Sequence, residues 1–493
     1  MSKIATYKYF AGNDWHAPTE GGYIDSENPA NGQVWARVPD CRQADVDRAV
    51  AAAKFAFYDG PWGRMQPAER GRHLRRIGDV ISKHADRLGA VETQDNGKLP
   101  SMITPGLRAG AWLVDSWHYY AGLCDKFEGR LIPAEAPDIH NYVKWEPFGV
   151  VAQVLPWNSP LGTLFVKLAP CLAAGNTMVI KPSEQSSCST LELMDVLLEA
   201  DLPPGVLNVV TGYGETTAAP MINHKDVRMV SFTGGTGGGR AAAIAAAQGV
   251  KPVVMELGGK SPQIVLADAD LDLAVRGVAA GIFPPGGQSC ISGSRILVHR
   301  DIIGDFTDRL VDVVKKARVG DPADPATQIG PIANRPHYDN ILAKIEAAEQ
   351  AGHKILLDGR TQCRGEGYYI GPTIFADVPN SADLAQTEVF GPVASTEAWD
   401  DEEDVIRIAN DTVYGLAAGI WTRDVTKAMR MADRIEAGTV YINNYFNAAT
   451  QSPVGGYKQS GYGRENGIEG MRCFLQTKSV WLSTNPHQPD PFA

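Results

Sequence analysis

Apolar and polar positions follow two rhythms along this chain. ADVDRAVAAAKFAF (44–57) and ERGRHLRRIGDVISKHADRL (69–88) carry apolar side chains at three-to-four spacing, which predicts exposed amphipathic helices. The N-terminal part is therefore expected to open with helices. From about Val150 the texture changes. Short β-rich runs (GVVAQVL, NTMVIK, VLNVVT, RMVSFT, PVVMEL and QIVLAD) alternate with helical segments such as CSTLELMDVLLEA and RAAAIAAAQ, predicting βαβ units around a mainly parallel sheet. A second α/β series follows Cys290, with helices at FTDRLVDVVKKA and HYDNILAKIEAAEQAG and strands at SRILVH and GTVYIN. The expectation is an α/β fold of two joined layers. The segment from Phe127 to Tyr142 and the TKSVWL tail after Gln476 form strand-like pieces belonging to neither series, and such edges pair readily with another subunit.

Composition narrows this picture. The 493 residues include 44% hydrophobic and 21% charged residues, an ordinary globular balance that allows two or three domains and excludes general disorder. The 46 basic and 57 acidic residues give 46 − 57 = −11, which disfavours nucleic acid and anionic membranes as partners. The chain starts without an apolar signal-like region, and no stretch approaches the roughly 18 uninterrupted apolar residues of a membrane helix. Seven cysteines, without CxxC or Cys/His metal spacing, fit reduced thiols in a cytoplasmic compartment and no metal centre.

Chemistry concentrates at strand ends. In FPPGGQSCISGSR (283–295) Cys290 lies among small residues that leave its sulfur accessible. A thiol with a reference pKa of about 8.5 needs a base or positive potential to act as a nucleophile, and the plainer reading is a small buried apolar residue. VMELGGKSP (254–262) sets Glu256 at a strand's carboxyl end, where ligands bind in α/β sheets; it is a candidate general base or a turn carboxylate capping amides. VLPWNSPLG (154–162) offers the Asn158 amide as an oxyanion donor, or as a structural turn residue. VIKPSE (179–184) delivers Lys181 and Glu184, a carboxylate suited to a ribose 2′-hydroxyl and repelling a 2′-phosphate, unless the two are only a surface ion pair. SFTGGTGGGRAAAIAAA (231–247) reads as strand, glycine turn and helix, aiming free amides at phosphate, although such turns are commonplace.

Together VLPWNSP, VIKPSE, FTGGT, MELGGKSP, GQSC, EVFGPV (388–393), NDTVYGLAAG (410–419) and SPVGGYKQSGYGRE (452–465) resemble, in order, the aldehyde dehydrogenase superfamily, as does the early DNGKL (95–99). The resemblance spans essentially the whole chain. It implies a Rossmann-like NAD-binding domain (1–126 and 146–258), an α/β catalytic domain (259–460) and a small β oligomerisation arm (127–145 and 476–493), assembled as a homodimer or homotetramer. It implies Cys290 as nucleophile, Glu256 as general base and Asn158 as oxyanion donor, with Lys167 also in the catalytic set. Lys181 and Glu184 match contacts to the adenosine ribose, and Glu388 and Phe390 contacts to the nicotinamide end. Leu155, Pro156, Trp157, Ser183, Gly214, Phe232, Thr233, Gly234, Gly235, Thr236, Leu257 and Gly258 complete the implied cofactor site.

The implied reaction is oxidation of an aldehyde to its acid through a thiohemiacetal and a thioester on Cys290, the thioester being hydrolysed by water that Glu256 activates. Departures from the common pattern are Gly235 and Gly237, where relatives carry a hydroxyl and a carboxylate, and Pro284 and Pro285, where many carry an aromatic and an asparagine. By resemblance the substrate entrance is lined near Ser159, Thr163, Val166, Ser289, Ile291, Ala448 and Val454, mostly small and neutral, which points to a bulky or functionalised neutral aldehyde. The alternatives are NADP as cofactor, a cofactor-independent cysteine esterase or hydrolase, and a non-catalytic relative.

Overall fold

A computed structural model describes residues 4–362, 365–488 and 490–493; Cys363 lies outside them. The fold is α/β. An eight-stranded sheet runs in the order Gly461–Tyr462, Val253–Glu256, Val227–Thr233, Val150–Val154, Thr177–Lys181, Leu207–Val209, Tyr9–Ala11 and Asp14–His16. Its five central strands are parallel, and the three outer ones antiparallel to their neighbours. Val150–Val154 and Thr177–Lys181 are buried at every residue, as strands covered on both faces must be. The chain winds outward in both directions from Val150–Val154. The loops after this strand and after Val227–Thr233 therefore flank a topological switch point, where ligands bind in such sheets.

The second sheet has seven strands, Lys354–Leu357, Thr373–Ala376, Val393–Trp399, Arg295–His299, Pro262–Val265, Ala417–Trp421 and Thr439–Ile442, all parallel except the first. A separate three-stranded sheet joins Arg130–Ile132, Ile139–Pro147 and Leu475–Ser483, with Leu475 to Ser483 paired residue by residue against Pro147 to Ile139. Leu131, Tyr142, Trp481 and Leu482 on it are exposed. No helix among the described residues is long and apolar enough to cross a membrane.

The predicted helices stand close to their expected places. Gln43–Tyr58 buries Val46, Ala49, Val50 and Ala53, one stripe at helical spacing. The single helix expected over 69–88 is two: Pro67–Lys83 ends where His84 leaves helical geometry, and Ala85–Asn96 follows until Gly97 turns left-handed at φ 77°. The N-terminus does not open with helices. Five strands precede the first helix, Ala5–Thr6, Tyr9–Ala11, Asp14–His16, Tyr23–Asn28 and Gln33–Pro39. They are short, and YIDSEN keeps most of its residues outside the core, so no apolar run announced them.

Candidate active site

A cavity of about 540 Å³ opens where the two large sheets meet. Cys290, Glu256 and Asn158 all line it, as do Ser159, Thr163, Val166, Ser289, Ile291, Ala448 and Val454. Lys98, Leu99, Met102, Trp112, Phe446 and Glu465 share the lining, and the sequence had assigned none of them a role.

Cys290 is half-buried in the loop before Arg295–His299. Two glycines in MELGGK let that loop close over the end of the strand Val253–Glu256. A Cβ on Gly259 would lie 2.7 Å from the Cys290 carbonyl oxygen, and one on Gly258 2.0 Å from an oxygen of Glu388. The Tyr445 hydroxyl donates to the Ile291 carbonyl at 2.8 Å and holds the loop from its other side. Burial, with the carboxylates of Glu256, Glu388 and Glu465 nearby, pushes the Cys290 thiol up to about 12. It is therefore a thiol at neutral pH and needs a proton acceptor to become a nucleophile.

A carboxylate lines the same cavity. Glu256 ends its strand with one carboxylate oxygen buried and unpaired. Burial raises its pKa well above the ordinary value, Glu465 adds to the shift, and Lys167 and Arg464 oppose it. Lys167, 1% exposed on the helix Pro160–Ala174, donates to Ser231 Oγ at 3.2 Å and pairs with the Glu465 carboxylate. The Asn158 Nδ2 donates to the Gln288 carbonyl at 3.0 Å, so its amide already points at the nucleophile loop.

The remaining predicted residues gather at the carboxyl ends of the first sheet. Leu155 donates its N–H to the Lys181 carbonyl at 3.0 Å, carrying Pro156 and Trp157 to the loop beyond. Lys181 ends its strand nearly buried and donates to Glu184 at 3.0 Å, and burial lowers its pKa. Ser183 caps the same loop, accepting from the Gln185 N–H at 3.3 Å. Gly214 opens the short helical turn Gly214–Ala218 after Leu207–Val209. The helix Thr236–Gln248 starts behind Gly235 with no side-chain cap, and the Thr233 hydroxyl before it is buried without a partner. Phe232 lies under Gly234, and Leu257 under Gly239, where a Cβ would come within 2.4 Å. Glu388, raised to about 7 by burial, accepts from the Gly259 N–H at 3.0 Å. Phe390, at φ 57°, packs edge-on to Trp157 at 5.3 Å. His337, which carried no sequence signal, packs tilted against Trp157 at 4.8 Å and hydrogen-bonds the Phe390 carbonyl at 2.8 Å.

Uncapped helix amides, an unpartnered buried hydroxyl and glycines with open space around Gly235 and Gly237 suit a diphosphate, and the strand-end carboxylates suit the sugars on either side of it. A thiol, a carboxylate and an amide donor line one cavity beside a crevice suited to a dinucleotide, an arrangement that fits a nicotinamide-dependent oxidoreductase. The chain belongs to the aldehyde dehydrogenase family, whose model matches residues 15–480. It is 40% identical over 472 residues to (Z)-2-((N-methylformamido)methylene)-5-hydroxybutyrolactone dehydrogenase of Acinetobacter baylyi, covering 95% of this chain and 96% of that protein. It is 40% identical to the mitochondrial aldehyde dehydrogenase of Homo sapiens, over 96% of this chain and 91% of that one. The NAD+ complex of aldehyde dehydrogenase from Bacillus cereus superposes with a TM-score of 0.94 at 37% identity, covering 97% of each chain.

Proposed function

We propose that the protein oxidises an aldehyde to its carboxylic acid with NAD, through a thioester on Cys290 that water hydrolyses. The observation that carries this reading is the shared cavity wall of Cys290, Asn158 and an unpaired, buried Glu256. NAD, when bound, supplies the hydride acceptor. Thr233 to Thr236 would hold its diphosphate, Lys181 and Glu184 the adenosine ribose, and Glu388 and Phe390 the nicotinamide end.

Glu256, neutralised by the proton it takes from Cys290, leaves a thiolate that attacks the carbonyl carbon. The carbon–sulfur bond forms and the carbonyl oxygen becomes an alkoxide, which the Asn158 amide and the Cys290 N–H stabilise. Loss of hydride from that carbon restores the carbonyl as a thioester. Glu256, after passing its proton towards the Lys167–Glu465 pair, draws a proton from water; hydroxide adds to the thioester and the acid leaves with the thiolate regenerated. A roomy wall of Ser159, Thr163, Ser289 and Ala448 supports a bulky or functionalised neutral substrate. The exposed apolar residues of the three-stranded sheet support self-association as a dimer or tetramer. Mass spectrometry of the wild type mixed with NAD and an aldehyde and quenched within the first turnover tests the scheme: an acyl mass on the Cys290 peptide is expected, and an unmodified peptide in a sample that has already formed reduced cofactor would contradict it.

A further inference from the structure

The last turns of the helix Ala85–Asn96 and the residues just after it grip the Asn158 turn at three points. The Asn96 Nδ2 donates to the Trp157 carbonyl at 3.4 Å, the Lys98 Nζ to Ser159 Oγ at 2.8 Å, and Glu92 accepts from the Leu161 N–H at 3.0 Å. Asn158 lies between the first two grips. Ser159 stands at the N-cap of Pro160–Ala174, a place where a serine hydroxyl ordinarily accepts from its own helix, yet it makes no such bond. Its hydroxyl is turned to Lys98 instead, over Gly162, where a Cβ would crowd it at 2.7 Å. The vacated helix amide goes to Glu92, whose carboxylate, 1% exposed, also meets the positive end of the helix. Lys98 lines the substrate cavity, and the charge of Glu92 acts on it without a direct ion pair between the two.

We infer that Lys98 is a positioning residue for the oxyanion donor: through Ser159 it sets the angle at which the Asn158 amide meets the substrate oxygen. The inference rests on the reading of Asn158 as that donor. A half-buried ammonium costs free energy unless its hydrogen bonds are used, and among the described residues the acceptor it uses is the hydroxyl of the residue next to Asn158. An amide that must stay free to switch from the Gln288 carbonyl to a developing alkoxide cannot be fixed by bonds of its own, so its neighbours have to hold it.

A double-mutant cycle on kcat/KM for the aldehyde that the wild type oxidises fastest tests this. Lys98→Met and Ser159→Ala are each expected to lower kcat/KM by about tenfold, with little change in NAD affinity. In an Asn158→Ala background, adding Lys98→Met should change kcat/KM by less than about twofold, because there is no longer an amide to aim. A structural role alone would make the two losses multiply, and that result overturns the inference. So does wild-type activity in Ser159→Ala, a variant that removes one oxygen and keeps the inference testable should Lys98→Met fold poorly. Wild-type activity in Asn158→Ala itself would instead remove the oxyanion reading on which the inference stands.

Discussion

Lys167 and Glu465 form a buried ion pair at the back of the cavity, joining the helix Pro160–Ala174 to a loop 298 residues further along the chain. The pair flanks Glu256, whose protonation each partner biases in the opposite direction. Glu465→Gln should therefore slow thioester hydrolysis, the step before which Glu256 must pass its proton towards this pair. A fall in kcat of about tenfold, roughly 1.4 kcal/mol, with a preserved first-turnover burst of reduced cofactor, is the expected stopped-flow result. Loss of the burst would place Glu465 in acylation instead.

Cys290 in the free enzyme is held as a thiol, with burial as the main cause of its rise to about 12. Alkylation by iodoacetamide needs the thiolate, so its rate should climb about tenfold per pH unit from neutrality towards about 12. Stability runs the other way. The native state holds this proton more tightly than the unfolded chain, so the contribution is complete below the unfolded thiol value of about 8.5 and is lost as pH rises from there towards about 12. Alkylation of Cys290 that saturates near neutral pH would show that burial and the neighbouring carboxylates do not hold the sulfur protonated.

Glu184 accepts from Lys181 at 3.0 Å, so that cation is already paired where a 2′-phosphate would need it. Glu184→Gln removes the repulsion and loosens Lys181, and the ratio of Kd for NADP to Kd for NAD is expected to fall by at least about tenfold, measured by fluorescence titration. An unchanged ratio would assign cofactor choice elsewhere.

Leu131 and Trp481 are 74% and 67% exposed on the three-stranded sheet. Replacing either with Asp should shift the protein to a smaller assembly in light scattering without altering the cofactor site, because no residue of that sheet lines the cavity. An unshifted mass would detach this sheet from self-association.

Much of the site was legible because parallel strands are apolar throughout and stop abruptly at polar residues. Lys181 and Glu256 are such stops, and Gly258 and Gly259 mark the close approach that follows. Glu465 lay within a recognised motif but had no assigned role, since its meaning comes from Lys167 far away in sequence. Glu92 and Lys98 were hidden for the same reason: their partners Leu161 and Ser159 are 69 and 61 residues on. The N-terminal strands escaped notice because YIDSEN alternates too weakly to mark a buried face.

The most direct test follows the ultraviolet absorbance of reduced nicotinamide while wild type and Cys290→Ala are each given NAD and a panel of aliphatic, aromatic and polar aldehydes. Reduced cofactor formed by the wild type and abolished in Cys290→Ala is the predicted result. Equal rates in the two proteins, or none with any aldehyde, would contradict a reaction that passes through this thiol.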